Sequence, residues 1–338
     1  MIGDRIRSAA GAAVGPGFTF QIQMDASGTF TLPIVAGGGG YTQDFIVYWG
    51  DDSSSVITAY DDVDATHTYS ATGIYDVRMD GTCEYLRFTE AHIDKLKPTA
   101  LSSMTYDLGF KIFSFYGCTN LTEIGTGFSN LESVETFDST LRQTSITSVP
   151  SDFFSGGVGA TNLFATFYGC DSLLEIPEGL FDNNISVGSV AFCFYNNAKL
   201  TSIPSGLFNN NVAVTTFEGT FISCGALVNV PEDIFYNCTE VTTLHRLFRN
   251  CDEIVSIGSG LFRDLAKLSL ATEIFANCNA LSAIPTGLFD NNIAVTEFSN
   301  TFGGCSSITS VPNGLFDNCP LVTKFDSVFS STSVTEIP

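Results

Sequence analysis

Charge is scarce in this 338-residue chain, and positive charge scarcest of all. Only 15% of residues are charged, against the ~25% usual for globular chains, and 14 Lys and Arg stand against 36 Asp and Glu. The net charge of −22 repels phosphates and anionic head groups, so no nucleic-acid binding and no attachment to a membrane surface are expected. No run approaches the ~20 apolar residues of a transmembrane helix, so no membrane insertion is expected either. The three His (His67, His92 and His245) are scattered, and no two of the ten Cys form a C-x-x-C pair, which removes the usual zinc sites. The glycine and His patterns of nucleophile elbows, zinc proteases, P-loops and dinucleotide folds are also missing. These absences exclude the common catalysts: no catalytic or cofactor-binding residue is expected, and no enzyme activity.

What is abundant is Phe, at 30 residues, and it recurs with a fixed period. Phe167, Phe194, Phe221, Phe248, Phe275, Phe302 and Phe329 are each 27 apart, as are Phe154, Phe181, Phe208, Phe235, Phe262, Phe289 and Phe316. Leu173, Leu200, Leu227, Ile254, Leu281 and Ile308 hold a third register, and Ile176, Ile203, Val230, Ile257, Ile284 and Val311 a fourth. Pro follows the fourth position at 177, 204, 231, 285 and 312, with Gly258 in the remaining coil. A fixed period of this length is the mark of a solenoid, because one such unit cannot bury its own apolar residues without coils above and below it. The unit reads F-x-x-C-x-x-L-x-x-I-P-x-G-L-F-x-N-N-x-x-V-x-x-F-x-x-x. Looser coils precede it, through Phe115, Cys118, Leu121 and Ile124, then Ile146 and Val149. About nine coils at ~4.8 Å each span roughly 40 Å. The Leu-x-x-Ile step reads as a short parallel strand, Val-x-x-Phe as a second extended segment, and Gly-Leu-Phe-Asp-Asn as turn chemistry. Both Phe series are expected in the core of every coil.

The cysteines follow the same register. Cys170, Cys224, Cys251, Cys278 and Cys305 are equivalent, with Asn197 in the one remaining coil, while Cys238 and Cys319 alternate with Asn184, Asn211 and Asn292 at a second position. Cys and Asn exchanging at one site of a repeat point to a ladder of small buried side chains that meet backbone groups. Reduced thiols are expected, since parallel side chains on stacked coils rarely reach the disulfide dihedral.

The run T-F-x-x-C-x-x-L-x-x-I-P-x-G-L-F, clearest at Thr220–Phe235 and Thr301–Phe316, resembles the BspA-type leucine-rich repeats of bacterial surface proteins. The resemblance covers residues 110–338 and implies adhesion or surface display, in cells or phage particles, with no catalytic residue. Phe45-Ile46-Val47-Tyr48-Trp49-Gly50-Asp51, followed by His67-Thr68-Tyr69 and Gly73-Ile74-Tyr75-Asp76-Val77, resembles a polycystic-kidney-disease (PKD) type β-sandwich, with Asp52 where that family carries a second Gly. Alternating apolar residues at 18–24, 29–34, 45–49 and 74–79 agree with strands of a small sandwich.

The expected organisation is therefore mainly β: a flexible anchoring arm at 1–17, a PKD/Ig-like β-sandwich at 18–90, a linker and solenoid cap at 91–109, and a leucine-rich-repeat-like solenoid at 110–338. Asp51, Asp52, Asp61, Asp62 and Asp64 form the one dense acidic cluster, and Asp51, Asp61, Asp62 and Asp64 are weak calcium candidates; solvated turn residues are the simpler account. The expected function is a surface-binding or structural protein, first as a phage fibre or head decoration, alternatively as a bacterial adhesin, and in another class as the targeting module of a larger extracellular enzyme. Its partners would be virion or cell-surface proteins through the arm and a host surface protein or glycan through the repeats, with homo-oligomers an open alternative. The expected place is a virion surface or the cell exterior, and the opening residues do not read as a signal peptide. The stop at Glu336-Ile337-Pro338 falls in mid-repeat, so more chain or another protein is expected to cover that end. Variable residues such as Glu218–Gly219 and Ser299–Asn300 offer a ligand surface. Because the thiols are ladder positions, a reducing agent should leave the melting temperature unchanged; a fall of more than a few degrees would reveal disulfides.

Overall fold

The computed structural model describes residues 17–34 and 40–337; residues 1–16 of the expected arm lie outside the described residues. Among these residues there are twelve short strands, one 3-10 turn and no α-helix. The first strand, β1 (Phe18–Met24), buries Phe18, Phe20, Ile22 and Met24 on one face, as its alternation demands. After β2 (Gly28–Thr31) come β3 (Gln43–Tyr48), β4 (Ser54–Ile57), β5 (Thr66–Tyr69), β6 (Gly73–Cys83), β7 (Tyr85–Phe88) and β8 (Pro98–Met104). The solenoid contributes β9 (Ile112–Phe115), β10 (Glu123–Ile124), β11 (Asn229–Val230) and β12 (Ser256–Ile257).

Six strands form one sheet in the order β10-β8-β1-β6-β3-β4, and β2 pairs with β5 in a separate antiparallel ribbon. A self-contained sandwich over 18–90 is thus not what the chain builds. The edge of β1 opposite β6 would be left bare by residues 18–90 alone, and β8 fills it from beyond them, running antiparallel from Phe18↔Met104 to Ile22↔Pro98. On its other side β8 pairs in parallel with β10, which belongs to the first coil. A second parallel pair, Tyr85↔Ile112 to Phe88↔Phe115, joins β7 to β9. Residues 85–104 therefore act as a foundation coil, and Phe88 lies one 27-residue period before Phe115. One apolar core runs through both parts: Phe18 meets Phe113 with ring centroids 5.3 Å apart, and Phe20 meets Phe115 at 5.9 Å.

The coils are locked by a hydrogen-bonded spine. In seven successive coils, from the one at Phe137 to the one at Phe298, four alternate backbone N–H groups donate to carbonyls of the next coil: Val190 to Thr216 at 3.1 Å, Phe192 to Glu218 at 2.8 Å, Phe194 to Thr220 at 2.9 Å and Asn196 to Ile222 at 2.7 Å. The same quartet recurs at Phe217, Gly219, Phe221 and Ser223, and at Leu244, Arg246, Phe248 and Asn250. The intervening N–H groups close i→i−3 turns, as from Cys193 to Val190 at 3.2 Å and Tyr195 to Phe192 at 3.2 Å. To aim alternate amides outward, the second and fourth donors adopt left-handed backbone, with φ of +56° at Phe192, +57° at Asn196, +59° at Arg246 and +61° at Asn250.

Behind the spine the first Phe series forms a parallel stack. Centroid spacings run from 5.2 Å (Phe167–Phe194) to 5.8 Å (Phe302–Phe329), and no pair is tilted by more than 11°. The second series stacks less evenly, and Phe217 stands between Phe208 and Phe235 at 4.9 and 4.7 Å. Phe316 and Phe329 depart from the expected full burial: both are half-buried, because no further coil lies over them among the described residues.

All ten cysteines are free and buried. Cys170, Cys224, Cys251, Cys278 and Cys305 each donate to a carbonyl of the preceding coil at 3.0–3.1 Å. At the second position Asn184, Asn211 and Asn292 each bridge two carbonyls, for Asn211 those of Phe181 at 3.0 Å and Asn184 at 2.9 Å. The two positions differ in what they accept. Asn197, in the thiol register, is buried and finds no partner for Nδ2 or Oδ1 among the described residues.

Among the described residues the Leu-x-x-Ile step is a paired strand only at β10 against β8 and at β11 against β12. In both pairs the added strand is followed by Gly, Gly125 or Gly258; elsewhere the Pro at that point has no N–H to extend a ladder. The continuous parallel bridges lie instead in Val-x-x-Phe, linking Asn162, Ser189, Thr216, Thr243, Leu270, Glu297 and Lys324.

Replacing a ring inside the stack, Phe248→Ala, should cost ~3–5 kcal/mol in denaturant unfolding. The half-buried Phe329→Ala should cost clearly less, and equal losses would mean that the stack does not carry the coil.

Candidate functional site

The spine fixes what faces solvent beside it. The residue after each buried Phe of the first series lies one coil from its counterpart, and its carbonyl accepts from the coil before: Gly117 N–H to Arg142 at 2.9 Å, Gln143 to Tyr168 at 2.7 Å, Gly169 to Tyr195 at 2.8 Å. Side chains at this position consequently stack along the solenoid. The Arg142 guanidinium lies 4.8 Å from the Tyr116 ring centre and 4.3 Å from that of Tyr168, and Tyr168 stacks on Tyr195 at 4.4 Å with planes 10° apart. The column Tyr116–Arg142–Tyr168–Tyr195 thus turns its edges, not its faces, outward.

A second row flanks it. Phe164, 37% exposed, meets Phe192 edge to face at 5.7 Å, and Phe192 lies 6.2 Å from Tyr195. The next coil has Gly219 there, and a Cβ at that point would sit 2.6 Å from Phe192 Cε1, so the glycine makes room for the ring. Burial and a hydrogen bond to Glu90 raise the Tyr116 phenol above the ordinary tyrosine range; burial and the Tyr195 phenol raise Tyr168. Both remain proton donors at neutral pH.

Further along, the face changes character. His245 Nδ1 lies 2.6 Å from Thr272 Oγ1, and Arg246 and Arg249 converge on Glu273 at 3.2 and 2.5 Å. Amides follow, with Asn277 Nδ2 donating to Asn250 Oδ1 at 2.8 Å. Glu218–Gly219 and Ser299–Asn300 lie at equivalent positions of this face. The aromatic column was missed by sequence reasoning, although two signals mark it: Tyr after the coil's first residue at 116, 168 and 195, and Phe164 and Phe192 outside both buried Phe registers.

The acidic cluster is organised by the chain's own groups. Asp51 accepts from Ser53 Oγ at 2.5 Å and from His67 Nε2 at 2.8 Å, and His67 stacks on the buried Trp49 ring at 5.0 Å. The Tyr69 hydroxyl donates to the Trp49 carbonyl at 2.8 Å, which ties β5 to the end of β3. Asp62 caps the short 3-10 turn Val63–Ala65, accepting from Asp64 N–H and Thr58 N–H at 3.1 Å each. Asp51 is thus committed to His67 and Asp62 to a turn, and no group of three or more His, Cys, Asp or Glu able to hold a metal occurs among the described residues. Among those residues no helix is long and apolar enough to cross a membrane.

No family model matches the chain, and no curated protein matches it. Solved structures with some likeness include the Drosophila Toll–Spätzle complex, 18% identical over 70% of this chain and 32% of that one, with a TM-score of 0.35. A leucine-rich repeat protein from Bacteroides ovatus is 18% identical over 76% of both chains, TM-score 0.23. A leucine-rich cell surface protein from Faecalibacterium prausnitzii is 19% identical over 67% of this chain and 79% of that one, TM-score 0.17. This chain spans about a third of the chain it matches in that complex. At such scores these likenesses carry no argument, and the coil stands on its own hydrogen bonds.

Burial works against ionisation of Asp51, but the Ser53 and His67 hydrogen bonds outweigh it and hold the carboxyl below its ordinary value. A depressed carboxyl stabilises the fold above its unfolded pKa and loses that contribution as pH falls through the folded one. The gap in melting temperature between wild type and Asp51→Asn should therefore be full near pH 7 and shrink below about pH 4. A gap independent of pH would mean that ionised Asp51 adds nothing.

Proposed function

We propose that this chain is a non-enzymatic binding protein of a cell or particle surface, and that the face beside the spine meets a protein partner. The observation that carries the proposal is the aromatic group of exposed Phe164 and half-buried Tyr168, Phe192 and Tyr195 on one face. Aromatic residues and Arg are enriched where protein interfaces hold most of their energy, and a rigid ring loses little entropy on binding. Elsewhere on the coils Asn, Ser, Thr and acidic residues are interspersed with exposed apolar side chains such as Leu174, Ile185, Val212 and Tyr236, none of which belongs to such a stacked column. Solenoids present extended surfaces of this kind, and the nearby β-rich unit closes the first coil. On this reading the first unit is a PKD-type module, supported by the Trp49–His67–Tyr69 packing, and the arm at 1–17 docks the protein on its carrier. Display on a phage particle is the first reading and a bacterial adhesin the second; labelling particles and cells with an antibody to the chain separates them.

Beads coated with the full chain should adhere to target cells, and adhesion should vanish when those cells are shaved with protease. A Tyr168→Ala, Tyr195→Ala double variant should lose adhesion, while Leu174→Ser, on an exposed residue of a different face, should keep it. Equal adhesion by both variants would remove this face from the contact. Loss on glycosidase treatment but not on proteolysis would make the partner a glycan.

A further inference from the structure

The partner's chemistry can be read from a cation stacked between two rings. Acidic residues outnumber basic ones 36 to 14, and of the twelve Lys and Arg among the described residues nine have a carboxylate within 4.0 Å, the exceptions being Lys95, Arg142 and Lys199. Lys95 donates to the Glu90 carbonyl and Lys199 is an exposed side chain, which sets them apart from Arg142. Its plane is held instead between Tyr116 and Tyr168, and its Nε is buried without a hydrogen-bond partner. Stacking on both faces leaves a guanidinium only its edge, the side that binds a carboxylate with two parallel N–H bonds.

The column already binds one carboxylate of its own. At the end nearest the N-terminal unit the Tyr116 hydroxyl donates to Glu90 Oε2 at 2.9 Å. Neither Tyr168 nor Tyr195 meets such an acceptor among the described residues, and their hydroxyls line the same column one and two coils beyond Arg142. Because neighbours occupy both faces of Tyr168, no open ring plane is offered there for a sugar to lie on. Phe164 and Phe192 instead border the donors with an apolar margin, which suits a carboxylate side chain set among apolar residues.

We infer that Arg142, Tyr168 and Tyr195 form a receptor for an Asp or Glu carboxylate on an acidic segment of the protein partner. This deepens the protein-binding reading above and rests on it. Arg142 supplies paired N–H donors, the two phenols supply O–H donors, and the tyrosine planes hold the guanidinium before the partner arrives.

The test uses the full chain on an array of synthetic peptides carrying one or two Glu beside apolar residues, each matched by its Gln counterpart, with uronic- and sialic-acid oligosaccharides alongside. Wild type should retain Glu peptides over Gln peptides by about tenfold or more. Arg142→Gln should abolish that preference, and Arg142→Lys, which keeps the charge but not the fork, should restore only part of it. Melting curves of the three proteins should coincide, and a variant that melts early is replaced by Tyr168→Phe with Tyr195→Phe, which keeps the rings and removes the donors. Equal retention of Glu and Gln peptides, or of none, overturns the carboxylate receptor, as does an Arg142-dependent preference for the acidic sugars. Cell adhesion that survives the Tyr168→Ala, Tyr195→Ala variant overturns the protein-binding reading itself, so the two failures are distinguishable.

Discussion

The inter-coil hydrogen bonds of the spine are the constraint on which the rest of this structure depends. Four amides per coil must reach four carbonyls of the next, and backbone groups left unpaired inside a packed coil would each cost about 1–3 kcal/mol. Meeting that demand forces two residues per coil into left-handed backbone, at a cost on the order of 1–3 kcal/mol each when they are not glycine. The chain tolerates this because the bonds recur from coil to coil. Two coils of 26 residues, from Phe115 to Leu141 and from Leu141 to Phe167, keep the spine and omit a residue elsewhere.

Register fixed in this way turns position in the sequence into position in space. A residue type repeated every 27 positions becomes a stack, and its chemistry decides what the stack does. Phe at the first position gives parallel rings and a dry core. Thiols at the fourth give a row of single donors to carbonyls, and burial raises every one of them above the ordinary thiol range, which keeps them protonated and unreactive. Tyr and Arg at the second give the outward column. One physical rule thereby builds the interior and the candidate contact surface together.

Much of the solenoid was legible because burial leaves an apolar signature at each repeat position. The left-handed positions were legible in principle too: from Ser139 to Ser331 they carry Ser, Gln, Ala, Phe, Asn, Arg, Glu and Gly but no Val, Ile or Thr, which that backbone excludes. That signal is an absence scattered over many coils, and the Phe registers drown it. The strand assignment failed for a similar reason. Leu-x-x-Ile has the composition of a strand, yet the proline after it removes the donor that a ladder requires, and pairing moved to Val-x-x-Phe, where no proline intervenes. The self-contained sandwich failed because pairing between β8 and β1 joins residues about 80 positions apart, and no local pattern reveals that the edge of β1 is filled from the foundation coil.

The shared sheet also bears on binding. A solenoid end left bare exposes an apolar layer and frays, and the first coil here is closed by strands of the N-terminal unit that are part of its own ladders. The aromatic column begins at Tyr116, in the coil laid directly on that foundation, so Tyr116, Arg142, Tyr168 and Tyr195 stand on the coils next to this closed end. Rigidity there has a direct thermodynamic consequence. Ordering a free arginine or tyrosine side chain at an interface costs about 0.5–1.5 kcal/mol, and a column already stacked at 4.3–4.8 Å has met most of that cost during folding. The same stacking that closes the ring faces to a ligand therefore strengthens whatever bonds their edges make, which is why the fold favours recognition by donors over recognition by planes.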